Sequence, residues 1–429
     1  MARSNHVMTK KDNYVDGIFF VLLLVAVSAL TFILFYRQAI YCWESGSPYP
    51  SDMKAYILEM QGLDSGYSFP YPIFFKVGAF FHLFVDANLS VALATMLLNA
   101  LAILLTKLAM DHLVLDSLET AFPGRRWLAG IIVSVAVVSL FFVSMLFPPE
   151  GIYLPGIQFH YLGVFTGNPF HNATYIAARP FAILAFLWYI KLLDLYEEGF
   201  RGNWRDYLLF SLFLLLTTMT KPSFTIVLVG VAGLIMIYRL VRARFHNFVP
   251  TLQLGICFVP TFLDLLYQYR GVFVPEEGAE GGIGFSFGEV WGLYCSNIPL
   301  AVCLAVGFPI LVFLLHWREW RSDTFYRFSW QVYGMSFAMA FFLYEKGFRK
   351  PDFNFAWGYL YGIFFAFLGA LVFLLKDTAR LFEAGEDTGT VRVGRFYKVC
   401  VCAEWLAYLW HLACGLYYFW KIFNGQMYY

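Results

Sequence analysis

The sequence predicts an all-α, polytopic membrane protein with about eleven transmembrane helices plus interfacial helices in its outer loops, and three observations carry that prediction. Hydrophobic residues fill 60% of the 429 positions. Charged residues make up only 14%, where a soluble protein carries about a quarter. Apolar runs close to the ~20 residues that a spanning helix needs recur along the whole chain, separated by short polar loops. This composition excludes a soluble globular protein and a disordered one. The net charge of +1, from 30 Lys+Arg against 29 Asp+Glu, excludes the broad basic field that would hold nucleic acid.

The first apolar run, 17–40, is longer than a signal-peptide core and has no small-residue cleavage site behind it, so it is read as a retained helix. Further runs at 89–112, 128–147, 180–195, 207–220, 225–240, 249–266, 298–316, 328–344, 355–375 and 401–422 complete the set. Arg3, Lys10 and Lys11 place the N-terminus on the cytoplasmic side, because basic residues favour that side. Alternation then puts Arg125/Arg126, Arg201/Arg205, Arg242/Arg244, Arg318/Arg321 and the 376–398 loop there too. The scheme requires that 71–86 does not cross. Its 16 residues, begun by Pro72 and interrupted by Lys76 and His82, suit a helix lying in the outer interface.

Four outer segments result, at 41–86, 148–179, 270–297 and 345–354. No linker and no internal repeat marks a second domain, so 1–429 reads as a single transmembrane domain. The Gly-rich stretch holding Glu276, Glu277 and Glu280 makes 270–297 a mobile acidic loop by expectation. The 7 cysteines show no C-x-x-C spacing and read as small apolar fillers. Only Cys42 and Cys295 fall in polar loops, where a bridge between them stays open.

Polar residues kept near the membrane in so apolar a chain are the informative ones, since each is costly to hold there unless paired or solvated. Asp52, behind Ser51 and just past the first span, either caps a short helix over 53–61 or serves as a base. In the second outer loop, His160, Asn168, His171, Asn172, Thr174 and Arg179 offer donors, acceptors and a cation suited to hydroxyls and a phosphate. A hydrogen-bonded turn closing on itself is the equal alternative, and Asn172-Ala-Thr174 is also a glycosylation sequon in a eukaryotic host. Lys221, held by Pro222 at the outer end of two apolar runs, needs water or an anion. Lys346, Arg349 and Lys350 crowd three cations into five positions on the side where cations are depleted. A phosphate or diphosphate head group explains them, with anionic lipid heads as the competing account. Trp357 and Tyr359 follow, with Asn354 before them, as candidates for binding a sugar by stacking on its face, with lipid-facing or core packing as the alternative for such aromatics. Asp264 and Glu404 are the main charges placed deep in apolar runs. No nucleotide-loop, zinc-protease or serine-hydrolase motif occurs.

This layout resembles the C-superfamily (GT-C) multi-pass glycosyltransferases, which take sugars from polyprenyl-phosphate donors on the non-cytoplasmic side. The likeness rests on a cytoplasmic N-terminus, one span, then a long first outer loop with Asp52 near its start and the Tyr67–Pro72 stretch before an interfacial helix. The 167–174 and 354–359 segments are also similar to bacterial membrane proteins of surface-polysaccharide synthesis. The resemblance implies Asp52 as general base, an inverted product, and Lys346, Arg349, Lys350, Lys221 and Arg179 around a lipid phosphate. Its acceptor would be a glycan or lipid-linked molecule. Short loops and the lack of a targeting signal point instead, by themselves, to a bacterial plasma membrane. No D-x-D or E-x-D pair stands in the first loop, so no metal is implied firmly. The rival from another class is a transporter or flippase of lipid-linked oligosaccharide. A polymerase of such units is a further alternative.

Overall fold

The computed structural model describes residues 12–146, 165–272, 282–295, 297–383 and 394–426. Most of these are helical. Helix α1 (Asp12–Tyr41) is followed by two short helices, α2 (Met53–Met60) and α3 (Ile73–His82), and then by α4 (Ala87–Ala121) and α5 (Arg126–Leu140). Next come α6 (Ala173–Leu195), α7 (Phe200–Thr220), α8 (Ser223–Arg242), α9 (Phe248–Ile256) and α10 (Val259–Val272). The remainder comprises α11 (Glu289–Tyr294), α12 (Ile298–Ala305), α13 (Gly307–Leu315), α14 (Glu319–Ser322), α15 (Thr324–Phe342), α16 (Ala356–Glu383) and α17 (Arg395–Phe423). The one departure from an all-helical chain among the described residues is an antiparallel ribbon of β1 (Ile283–Phe285) with β2 (Leu343–Glu345), in register Gly284 to Tyr344.

Each of the eleven predicted runs coincides with a helix or a bent helix pair, but length and apolar content do not mark all eleven as spans. Among the described residues six helices are long and apolar enough to cross a membrane, namely α1, α4, α6, α8, α16 and α17, and the count reaches eight if each bent pair is one span. Such helices suit an integral membrane protein. Helix α5 has 15 residues and rises about 22 Å, short of a ~30 Å hydrocarbon core. Helices α7 and α15 have the length but not the apolar content. The run 249–266 is broken between α9 and α10 by 47°, and 298–316 between α12 and α13 by 76°. Proline explains the first break: Pro260 lacks an N–H and pushes the residue before it away from helical geometry. At the second break Gly307 weakens the helix through its backbone freedom, and Pro309 lacks the N–H that would bond back to Ala305. Helix α6, conversely, begins seven residues before the predicted start at Pro180, because Asn172 caps it by accepting the Tyr175 N–H at 2.9 Å.

Helix α3 has 10 residues, a rise of about 15 Å, and therefore cannot cross. The chain ends sort accordingly. Arg37 donates to the Phe423 carbonyl at 2.7 Å, tying the end of α1 to the end of α17, and the β1–β2 ribbon ties two more predicted outer segments together. At the opposite end Thr120 meets Glu383, and Arg239 donates to the Leu193 carbonyl at 2.6 Å. The described parts of the predicted outer segments thus share one end of the bundle, and those of the basic loops share the other.

Helix α16 is the axis: its apolar window is 100% buried, against 28% for the peripheral α1. Small residues allow that packing. A Cβ on Gly362 would fall 1.9 Å from Ser336 Oγ on α15, and one on Gly369 would fall 2.9 Å from Ser329 Oγ. Bulkier residues at these two positions, seven apart on one face, would separate the helices.

Candidate functional site

Three elements that are far apart in sequence meet at the ribbon end. Asp52 precedes α2, Asn172 caps α6, and Lys221 occupies the two-residue link between α7 and α8, where Pro222 opens the next helix. Asp52 stands at the N-cap position of α2, yet its side chain makes no capping bond. Its Oδ2 instead accepts from Asn172 Nδ2 at 2.7 Å and from the Tyr56 hydroxyl at 3.1 Å. The capping alternative for Asp52 therefore fails, and Ser51 Oγ supplies only a long 3.5 Å contact to the Met53 N–H.

Asn172 organises the cluster. Its Nδ2 also donates to Tyr56 at 2.9 Å, while its Oδ1 accepts from Thr174 Oγ1 at 3.0 Å and from Lys221 Nζ at 3.4 Å. Those partners settle which end of the amide is nitrogen. Asn172 is 2% exposed, so the sequon reading is corrected: its nitrogen is inside and engaged. Lys221 donates to Thr174 Oγ1 at 3.0 Å and lies over the Trp357 ring at 4.9 Å and the Tyr71 ring at 5.8 Å. Burial lowers its pKa to about 8, with Asp52 acting to raise it and Arg349 to lower it. An ammonium has three protons to donate, and these two bonds use two of them.

Beside Lys221 opens a cavity of about 390 Å³. Its polar rim is Tyr71, Lys221, Glu345, Arg349, Asn354 and Trp357, and its floor includes Ile226, Val227, Leu265, Met339 and Leu343. Arg349 lies 3.3 Å from Glu345 Oε2 and 3.5 Å from Asp352 Oδ2, and Asn354 donates to Glu345 at 2.8 Å. Burial raises the Glu345 pKa, opposed by the Arg349 charge. Asp52 is not on the cavity wall. It is joined to the wall through Asn172 and Thr174, and remains exposed on its other side.

Other predicted site residues fall elsewhere. Arg179 is 1% exposed, two turns along α6, donating to Asn168 Oδ1 at 2.9 Å and Gly167 O at 3.3 Å beneath the rings of Phe141, Tyr175 and Phe364. Asn168 in turn donates to the carbonyls of Leu140 and Val143, each at 2.9 Å. Both are corrected from ligand candidates to core residues, because the loop folds inward over α5. His171 is buried behind Trp357, with ring centroids 5.6 Å apart, and burial beside Lys221 lowers its pKa to about 3. Lys350 pairs with Glu289 of α11, and Lys346 is exposed past the ribbon; neither lines the cavity. Tyr359 is turned into the core against Trp291 at 4.9 Å. Cys42 and Cys295 are both free thiols, which removes the bridge. His160 and the acidic stretch at 276–280 lie outside the described residues.

Sequence reasoning missed Tyr56, Tyr71 and Glu345. For Tyr56 a signal existed: it stands four residues after Asp52 on a short helix, the spacing at which side chains meet. Compared with family models, with curated proteins and with solved structures, the chain matches none of them, and its chemistry is read from this geometry alone.

Proposed function

We propose that this protein is a membrane glycosyltransferase that moves a sugar from a polyprenyl-phosphate donor to a glycan or lipid-linked acceptor on the non-cytoplasmic side, with inversion. The observation that carries this reading is the link, through Asn172, between an oriented carboxylate and a mainly apolar cavity that holds Lys221 and Arg349 on its wall. Both hydrogen bonds on Asp52 fall on Oδ2, which fixes the carboxylate while its residue stays open to water. In the reaction, Asp52 takes the proton of an acceptor hydroxyl as that oxygen attacks the anomeric carbon. The bond from that carbon to the phosphate oxygen breaks on the opposite face. Lys221 and Arg349 meet the charge left on the lipid phosphate, and the apolar floor receives the start of the prenyl chain. Arg349 would exchange part of its pairing with Glu345 and Asp352 for phosphate oxygens.

The test is Asp52→Asn, which keeps the shape and loses the base. Transfer in proteoliposomes from a radiolabelled polyprenyl-phosphate sugar is expected to fall ~10² to 10⁴-fold, with donor binding retained. Turnover within about tenfold of the parent would overturn the assignment. The bent pairs α9–α10 and α12–α13 favour the second reading, a flippase, since broken helices recur in transporters. In that case the same vesicles would show movement of intact lipid-linked sugar between leaflets, without transfer and without dependence on Asp52.

A further inference from the structure

A second polar cluster lies in the far end of the bundle and takes no part in the proposed transfer. His316 follows directly on α13, Asp377 lies late in α16, and Glu404 is on the third turn of α17. His316 Nε2 stands 2.9 Å from Asp377 Oδ2 and 3.1 Å from Glu404 Oε1, and one donor atom from each of the three residues falls within 4.8 Å of the others. Their exposures are 7%, 1% and 0% respectively, so water does not solvate this charge. From Trp357 in the cavity rim to Asp377, α16 rises about 30 Å, which separates the two sites.

Two features distinguish this group from an ordinary ion pair. Arg380 occupies Asp377 Oδ1 at 2.9 Å, leaving Oδ2 turned towards the imidazole. Glu404 Oε2 is buried with no hydrogen-bond partner among the described residues, although a buried carboxylate oxygen without a partner is costly. A cation between the three donors would satisfy that oxygen by drawing both atoms of the carboxylate onto itself. Ligand atoms about 2.0–2.2 Å from a tetrahedrally held metal stand about 3.3–3.6 Å apart, so the 2.9 and 3.1 Å separations from His316 to the two carboxylates need open by only a few tenths of an ångström to admit one.

We infer that His316, Asp377 and Glu404 form a binding site for a divalent transition metal, Zn²⁺ by preference, that joins α13, α16 and α17. One imidazole nitrogen with two carboxylate oxygens is a donor set that zinc takes readily, whereas magnesium and calcium favour oxygen alone. The metal replaces the proton otherwise shared between the imidazole and the carboxylates. Because its ligands come from three helices, one of them the second half of a bent pair, the site fastens the last third of the chain together. At its distance from the cavity it holds structure and does not touch substrate.

The experiment uses the full chain, purified in detergent, stripped with EDTA and then given Zn²⁺ before desalting. Elemental analysis is expected to find one zinc retained per chain, X-ray absorption at the zinc edge to show a single imidazole with oxygen neighbours, and the thermal midpoint to rise on zinc addition. Glu404→Gln and His316→Gln are expected to abolish retention and to make the midpoint indifferent to zinc. Folded wild-type protein that keeps no zinc above background overturns the proposal, as does retention undiminished in both variants. Should a variant not fold, the wild-type absorption spectrum decides, since a zinc without an imidazole neighbour is not at this site.

Discussion

Lys221 carries a charge in a place that charge dislikes, and its consequences can be followed with pH. Burial lowers its pKa from 10.5 to about 8 in the folded protein, so between those values the unfolded chain binds more protons. Its own contribution to stability therefore rises as pH climbs through that window, where the costly buried charge is lost. Binding runs the other way. A sugar phosphodiester keeps its charge over this range, whereas the ammonium that meets it disappears. Lipid-phosphate affinity is expected to fall from about pH 7 to 9.5 in the parent, and to be weaker but flat in Lys221→Met. Titrating a fluorescent polyprenyl-phosphate sugar at each pH checks this, and a parallel fall in both proteins would remove Lys221 from the site.

Single elements decide which of several similar residues acts. The 3₁₀ turn Gly347–Asp352 follows β2 after Lys346, and its tight geometry sends neighbouring side chains in different directions. Arg349 is thereby brought to the cavity rim and Lys350 to Glu289. In sequence these two cations are indistinguishable. Arg349→Gln is expected to weaken lipid-phosphate binding about 10- to 100-fold, the value of a charge-assisted hydrogen bond or two, whereas Lys350→Gln should change it by no more than about twofold. Equal losses in the two variants would point to diffuse attraction to an anionic surface. Helix α6 illustrates the same scale: Asn172 sets where it starts, and that start carries Arg179 down into the core and away from the rim.

At the scale of the whole molecule, the gathering of segments 41–86, 282–295 and 343–354 at one end follows from α3 being too short to cross. Its orientation in the membrane rests on the Lys and Arg bias. In an otherwise cysteine-free chain, Ser45→Cys and Lys346→Cys are expected to react with a membrane-impermeant thiol reagent on intact cells. Arg201→Cys and Ser322→Cys, exposed at the opposite end, are expected to react only after lysis. Labelling of the second pair alone would invert the protein and place the cavity on the cytoplasmic side.

Composition and apolar run length were sufficient to specify a helical membrane protein and the position of nearly every helix, because desolvating a backbone in lipid leaves a long apolar segment little alternative. The same reasoning marked 71–86 as a segment that does not cross, and singled out Asp52, Asn172, Lys221, Arg349, Asn354 and Trp357. Fewer than eleven of the runs qualify as spans by length and apolar content among the described residues, because α5 is short and breaks bend α9–α10 and α12–α13. What the tertiary structure alone decided is which polar residues face one another. Asp52 and Asn172 are 120 positions apart, and His316 and Glu404 are 88 apart. No local pattern records such distances, since helix periodicity reaches only neighbours three or four residues away. Side-chain direction relative to a packed neighbour separated Arg349 from Lys350, and buried Arg179 where its charge had suggested a ligand.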